Sequence, residues 1–223
     1  MSINAFNLKV TSSSPVAEQL MVVLNPKLMM NQGVIYKDYY PVAWHVLEFP
    51  VGADPIMISY DSNLTAILQE ITDQNIVNAG VHRPTTTDNN EFNIVTLNNM
   101  YDLQPQGKIN PNTAVSIYND VSGKTFDVGV GDTTGRSYLT MNVTGGDSID
   151  FNFNAEFAIV PVGPTVQDKS KMVTGTVHRP WFSFMLRSLT SDDIGFTFDG
   201  TNLVDVTGIA KVDDHRANEE VFG

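Results

Sequence analysis

Two short passages of this chain each occur twice, and a chain that repeats itself must fold as a unit that tolerates being copied. Gly52-Ala53-Asp54-Pro55-Ile56-Met57-Ile58-Ser59-Tyr60-Asp61 is echoed by Gly145-Gly146-Asp147-Ser148-Ile149-Asp150-Phe151-Asn152-Phe153-Asn154, a step of 93 residues. Val81-His82-Arg83-Pro84 returns as Val177-His178-Arg179-Pro180, a step of 96. The steps are nearly equal, so the echoes are collinear. Within and just beyond the first echo the apolar positions pair as Ile56/Ile149, Ile58/Phe151, Tyr60/Phe153 and Leu64/Phe157. Convergent β alternation can produce such pairs alone. Their collinearity favours a tandem duplication of a unit of about 95 residues.

The period inside the repeat is that of a strand. Ile149, Phe151 and Phe153 fall on one face and Asp150, Asn152 and Asn154 on the other, the clearest alternation in the chain. Ala5 to Val10, Leu20 to Leu24, Phe92 to Leu97, Val115 to Tyr118, Phe126 to Val130, Tyr138 to Val143 and Trp181 to Leu186 also read as strands. Around Trp44 both faces are apolar (Val42, Trp44, Val46 against Ala43, His45, Leu47, Phe49), which predicts a central strand. Ser122-Gly123-Lys124 and the Asp199-Gly200 that follows Phe196-Thr197-Phe198 read as hairpin turns. One stretch is ambiguous. Leu64, Ile67, Leu68 and Ile71 have helical spacing behind a cap at Asp61 or Ser62, so a two-turn helix is expected there, although the matching Glu156 to Val162 reads as strand.

Pro105, Gly107, Pro111 and several amides between Gln104 and Asn112 have little to bury and read as a connector. The expected fold is all-β: two tandem β-sandwich-like units, 1–104 and 113–223, joined by 105–112 and packed through their apolar sheets. One large β-sandwich is the alternative.

A net charge of −12 repels phosphate backbones and anionic lipid, so neither nucleic acid nor an anionic membrane is an expected partner. With no cysteine there is no disulfide, thiolate nucleophile or cysteine-ligated zinc. Met1 to Phe6 lacks the basic and apolar regions of a signal peptide, and no stretch approaches the roughly 18 apolar residues of a membrane span. A cytoplasmic protein is expected, with non-classical release as the alternative.

His82 and His178 could meet across a pseudo-twofold axis, but two imidazoles are too few for a metal site. The plainer reading is structural: Pro84 and Pro180 end a strand, and Arg83 and Arg179 pair with the duplicated Asp54 and Asp147. Tyr36, Tyr39, Tyr40 and Trp181 are the candidates for a binding platform, since aromatics give large rigid contact area. Gly129 to Gly135 is glycine-rich but lacks the Gly-Lys-Ser/Thr of a phosphate cradle, and reads as a flexible connection. Asp192-Asp193, Asp199 with Asn202, and Asp213-Asp214 lack an ordered calcium-loop spacing. Neither a Gly-x-Ser-x-Gly elbow nor His-Glu-x-x-His occurs. The expected function is a non-enzymatic binding or self-assembling protein (lectin-like, toxin-like or a particle subunit), homo-oligomeric, with carbohydrate or protein as partner and no cofactor or metal. A hydrolase using His82, His178 or an acidic pair, and a purely structural component, are the alternatives.

Overall fold

The computed structural model describes residues 5–24, 40–61, 63–72, 76–86, 88–107, 115–151, 156–169, 171, 181–185, 193–208 and 213–215. No described residue is helical. The first half of the chain gives β1 (Ala5–Ser12), β2 (Glu18–Leu24), β3 (Tyr40–Pro41), β4 (His45–Phe49), β5 (Ile56–Asp61), β6 (Thr65–Thr72), β7 (Ile76–Pro84), β8 (Glu91–Leu97) and β9 (Met100–Gly107). The second gives β10 (Val115–Asn119), β11 (Thr125–Gly131), β12 (Ser137–Thr144), β13 (Ser148–Phe151), β14 (Glu156–Pro161), β15 (Trp181–Met185), β16 (Asp193–Phe198), β17 (Leu203–Asp205) and β18 (Asp213–His215).

Four open sheets result. Sheet one is ordered β17-β16-β1-β5 and sheet two β18-β15-β14-β2-β4; sheet three is β3-β12-β11-β6-β7 and sheet four β13-β10-β8-β9. Sheet one packs on sheet two through Phe6, Phe157, Phe184 and Phe196, with the Phe6–Phe157 centroids 6.0 Å and the Phe184–Phe196 centroids 5.1 Å apart. Sheet four packs on sheet three, where β10 approaches β6, β11 and β12 and Tyr101 meets Phe126 edge-on at 4.6 Å. The all-β, sandwich-like expectation therefore holds. The two sandwiches share one apolar core, joined where Trp44, Tyr60, Tyr138 and Phe157 cluster.

Chain order and sandwich membership are offset. Sheets three and four are built almost wholly from the contiguous strands β6 to β13, and sheets one and two from the strands before and after them. The first stretch thus gives β1, β2, β4 and β5 to one sandwich and β6 to β9 to the other, and the second gives β14 to β18 to the former and β10 to β13 to the latter.

The pairing itself repeats. Sheet one reads antiparallel, parallel, antiparallel across β17-β16-β1-β5, and sheet four reads the same across β9-β8-β10-β13. Val10 lies opposite Ile56 and Phe196, just as Ile117 lies opposite Ile149 and Phe92. In the larger sheets β4-β2-β14-β15 matches β12-β11-β6-β7: Val22 sits between His45 and Ile159, and Val128 between Met141 and Leu68. Ile56 and Ile149, the centre of the longer echo, hold equivalent edge positions. The shorter echo does not follow this correspondence: Val81 faces Leu68 as Phe182 faces Ile159, so the counterpart of His82 is Ser183, five residues past His178.

Four expectations are corrected. The stretch read as a helix forms β6 (Thr65–Thr72) instead, because this strand sits between β7 and β11 with Thr65 to Gln69 buried on both faces; two-sided burial mimics helical spacing. Trp44 is not on a central strand. Val42 donates to the Tyr138 carbonyl in sheet three (3.0 Å) and Trp44 to the Val22 carbonyl in sheet two (3.0 Å), so the chain crosses between sandwiches there. Ser122-Gly123-Lys124 is a corner joining sheet four to sheet three, since β10 and β11 do not pair. The Asp199-Gly200 hairpin is present as β16–β17. Gln104 to Gly107, read as connector, completes β9.

Candidate functional site

The five successive buried residues Leu20 to Leu24 place β2 inside a sheet covered on both faces. Leu20, Val22 and Leu24 enter the shared core, while Met21 and Val23 join Ala43, Ala158, Val160, Val162 and Val166 in a second apolar cluster behind sheet two. At the open end of that sheet a cleft of about 470 Å³ lies between the start of β2, the end of β4 and the chain leaving β14. Ala17, Phe49, Pro50, Val162 and Pro164 supply its apolar walls, and Glu18, Gln19 and Glu48 its polar groups; among the described residues no basic side chain lines it. Gln19 and Glu48 are cross-strand neighbours, with Gln19 Nε2 3.5 Å from Glu48 Oε1. Gln19 Oε1 is buried without a hydrogen-bond partner among the described residues, while the Gln19 carbonyl accepts from Val162 N–H at 2.9 Å. Ser14 Oγ donates to Glu18 Oε1 at 3.1 Å. The cleft therefore presents acceptors over an apolar floor, a setting for a ligand carrying hydrogen-bond donors.

A second polar assembly sits at the junction of the sandwiches. Asp132, buried in the β11–β12 turn, accepts from Trp44 Nε1 (2.8 Å) with one oxygen, and from Thr134 N, Thr134 Oγ1 and Arg136 N with the other. Arg136 Nη1 donates to the Trp44 carbonyl (2.9 Å) and to Asp168 Oδ2 (2.7 Å), and lies 3.3 Å from His45 Nδ1. Asp168 Oδ1 in turn accepts from Val46 N–H at 3.2 Å. Burial, then the Arg136 charge, push the His45 imidazolium down to about 4, against the weaker pull of Asp168 and Asp132. His45 is thus neutral near pH 7, with Nδ1 serving as acceptor. Close by, burial drives the phenols of Tyr60 and Tyr138 well above their usual range, helped at Tyr138 by Tyr60 and by two aspartates.

The residues singled out from sequence do not converge. Tyr36, Tyr39, His178 and Arg179 lie outside the described residues. Tyr40 begins β3 half-buried, its ring covered by Lys171 Nζ 3.8 Å from the centroid, so it is engaged within the chain. Trp181 starts β15 opposite His215. Asp54 and Asp147 are exposed in equivalent turns of different sandwiches. His82 is exposed on β7 opposite Ile67. Arg83 pairs with Asp102 at 2.6 Å and donates to the Leu103 carbonyl, which corrects the expected pairing with Asp54. Of the glycine-rich segment read as flexible, Gly129 to Gly131 complete β11 and the rest is the tightly bonded Asp132 turn. The missed signal was local: Asp132-Thr133-Thr134 is the pattern of an aspartate closing its own turn.

Among the described residues no three His, Asp or Glu side chains gather as a metal set, and no helix is long and apolar enough to cross a membrane. Comparison with protein-family models, curated proteins and solved structures finds no match to this chain.

Proposed function

We propose that this chain is a non-enzymatic binding protein that takes its ligand in the cleft at the end of sheet two. The observation that carries the reading is the composition of that cleft: two carboxylates and an amide over an apolar floor, with no basic side chain among its described lining residues. Sugar hydroxyls or the ammonium groups of a protein segment both supply the donors such a surface needs, which keeps carbohydrate and protein as the partner classes. A screen of neutral glycans and lysine-rich peptides against the intact chain tests it. A ligand should bind, and Glu48→Gln should weaken it about tenfold, the scale of one charge-assisted contact. Binding unchanged in that variant would place the ligand elsewhere.

Self-assembly is the second reading, favoured by a different observation. All four sheets are open, and Met57 on edge strand β5, Met100 and Tyr101 on β9 and Val204 on β17 stand exposed. Sizing by light scattering across a concentration series tests it, and a monomer at every concentration would remove it. Duplication of one eight-strand unit underlies both readings in our account, supported by the repeated pairing pattern.

A further inference from the structure

The segment after β14 runs as a strap across the back of sheet two. It is tied at its start by Val162 N–H to the Gln19 carbonyl (2.9 Å) and further along by Lys169 N–H to the Ala43 carbonyl (2.8 Å). Between these ties Val162 and Val166 drop into the second apolar cluster, on Met21, Val23 and Val160. Val77 N–H also donates to the Lys169 carbonyl (3.0 Å), and beside that end Asp168 holds Val46 N–H and Arg136 together. Two small side chains are a thin apolar anchor, so the strap depends on the Arg136–Asp168 contact more than a core segment would.

That contact tolerates only a neutral His45. Arg136 Nη1 is placed against Trp44 O, His45 Nδ1 and Asp168 Oδ2 at once. A proton on Nδ1 removes an acceptor and sets two cations 3.3 Å apart, and the new imidazolium competes with Arg136 for Asp168. The charged groups facing His45 are Arg136 and Asp132 from the β11–β12 turn and Asp168 from the strap, while β2 opposes it with Val22.

We propose that residues 162–169 form an acid-released strap: protonation of His45 dissolves the Arg136–Asp168 tie, frees the strap, and uncovers the apolar back of sheet two beside the cleft. The effect on the cleft rests on the binding reading above; the release does not, and it is measured separately.

The absence of cysteine makes Thr165→Cys, exposed at mid-strap, a unique site for a fluorescent dye. Dye anisotropy is followed from pH 7 to 3, with far-UV circular dichroism reporting whether the sheets persist. Anisotropy should fall around pH 4 while the β signal is retained. His45→Gln, which stays uncharged yet can accept from Arg136, should delay that fall by about one pH unit or more. Asp168→Asn, which cannot hold Arg136 by charge, should leave the dye mobile already at pH 7. Identical profiles for the wild type and His45→Gln, or an immobile dye until the β signal collapses, would overturn the proposal. Should His45→Gln not fold, an Asp168→Asn dye as immobile at pH 7 as the wild type overturns it equally.

Discussion

At the scale of single residues, Asp132 is the side chain on which most depends. It is 8% exposed and serves four donors, among them the indole of Trp44 from the other sandwich. Asp132→Ala would strand the Trp44 N–H and the Arg136 amide, and should cost about 3 kcal/mol in urea unfolding at pH 7. A loss under about 1 kcal/mol would mean those donors find other partners. His45 sets a pH dependence whose sign follows from its direction. Its ordinary value is 6.5 and its folded value about 4, so between these the unfolded chain holds the extra proton and stability falls as pH falls. Solvent screening at a partly exposed group trims the effect, leaving a loss of about 2 kcal/mol between pH 6.5 and 4. His45→Gln should remove that slope, and an unchanged slope would assign it to the carboxylates.

At the scale of elements, close packing between strands governs what substitution is tolerated. Gly129 on β11 lies beneath the Gln69 side chain, which crosses it to reach Ser137 and Leu139 on β12. A Cβ there would collide with both the Gln69 amide and the Leu139 carbonyl, so Gly129→Ala should lower stability by about 3 kcal/mol. Gly163, with nothing near its missing Cβ, is the control: its alanine variant should be within about 0.5 kcal/mol of wild type in the same melts. An equal loss in both variants would refute the packing account. These elements were legible where one face is wet, as in β1 and β13, whose buried residues alternate strictly. They were not where both faces are dry. In β6, Ile67 and Leu68 point opposite ways into two buried environments, and period two is invisible when five successive positions, Thr65 to Gln69, are all buried. The β8–β9 hairpin escaped notice because its turn is Asn98-Asn99, both at positive φ, in place of the more telling Asn-Gly. The cleft was illegible for another reason: Glu18, Glu48 and Val162 become neighbours only through pairings that span the chain.

At the scale of the molecule, the strands of the two chain halves are interleaved. Sheet one joins β1 and β5 to β16 and β17, sheet four joins β10 and β13 to β8 and β9, and the larger sheets mix the halves likewise. A covalent break between the halves therefore cuts no sandwich, yet separating them would strip every sheet of its central pairing and expose both faces of the shared core. Burial of this kind, not the connector, holds the halves together. The most direct test inserts a protease site between Gly107 and Val115 and cleaves the folded chain. Interleaving predicts that both fragments co-elute at the intact size and unfold in one cooperative transition. Fragments that part without denaturant, each keeping its own β signal and its own melt, would contradict it.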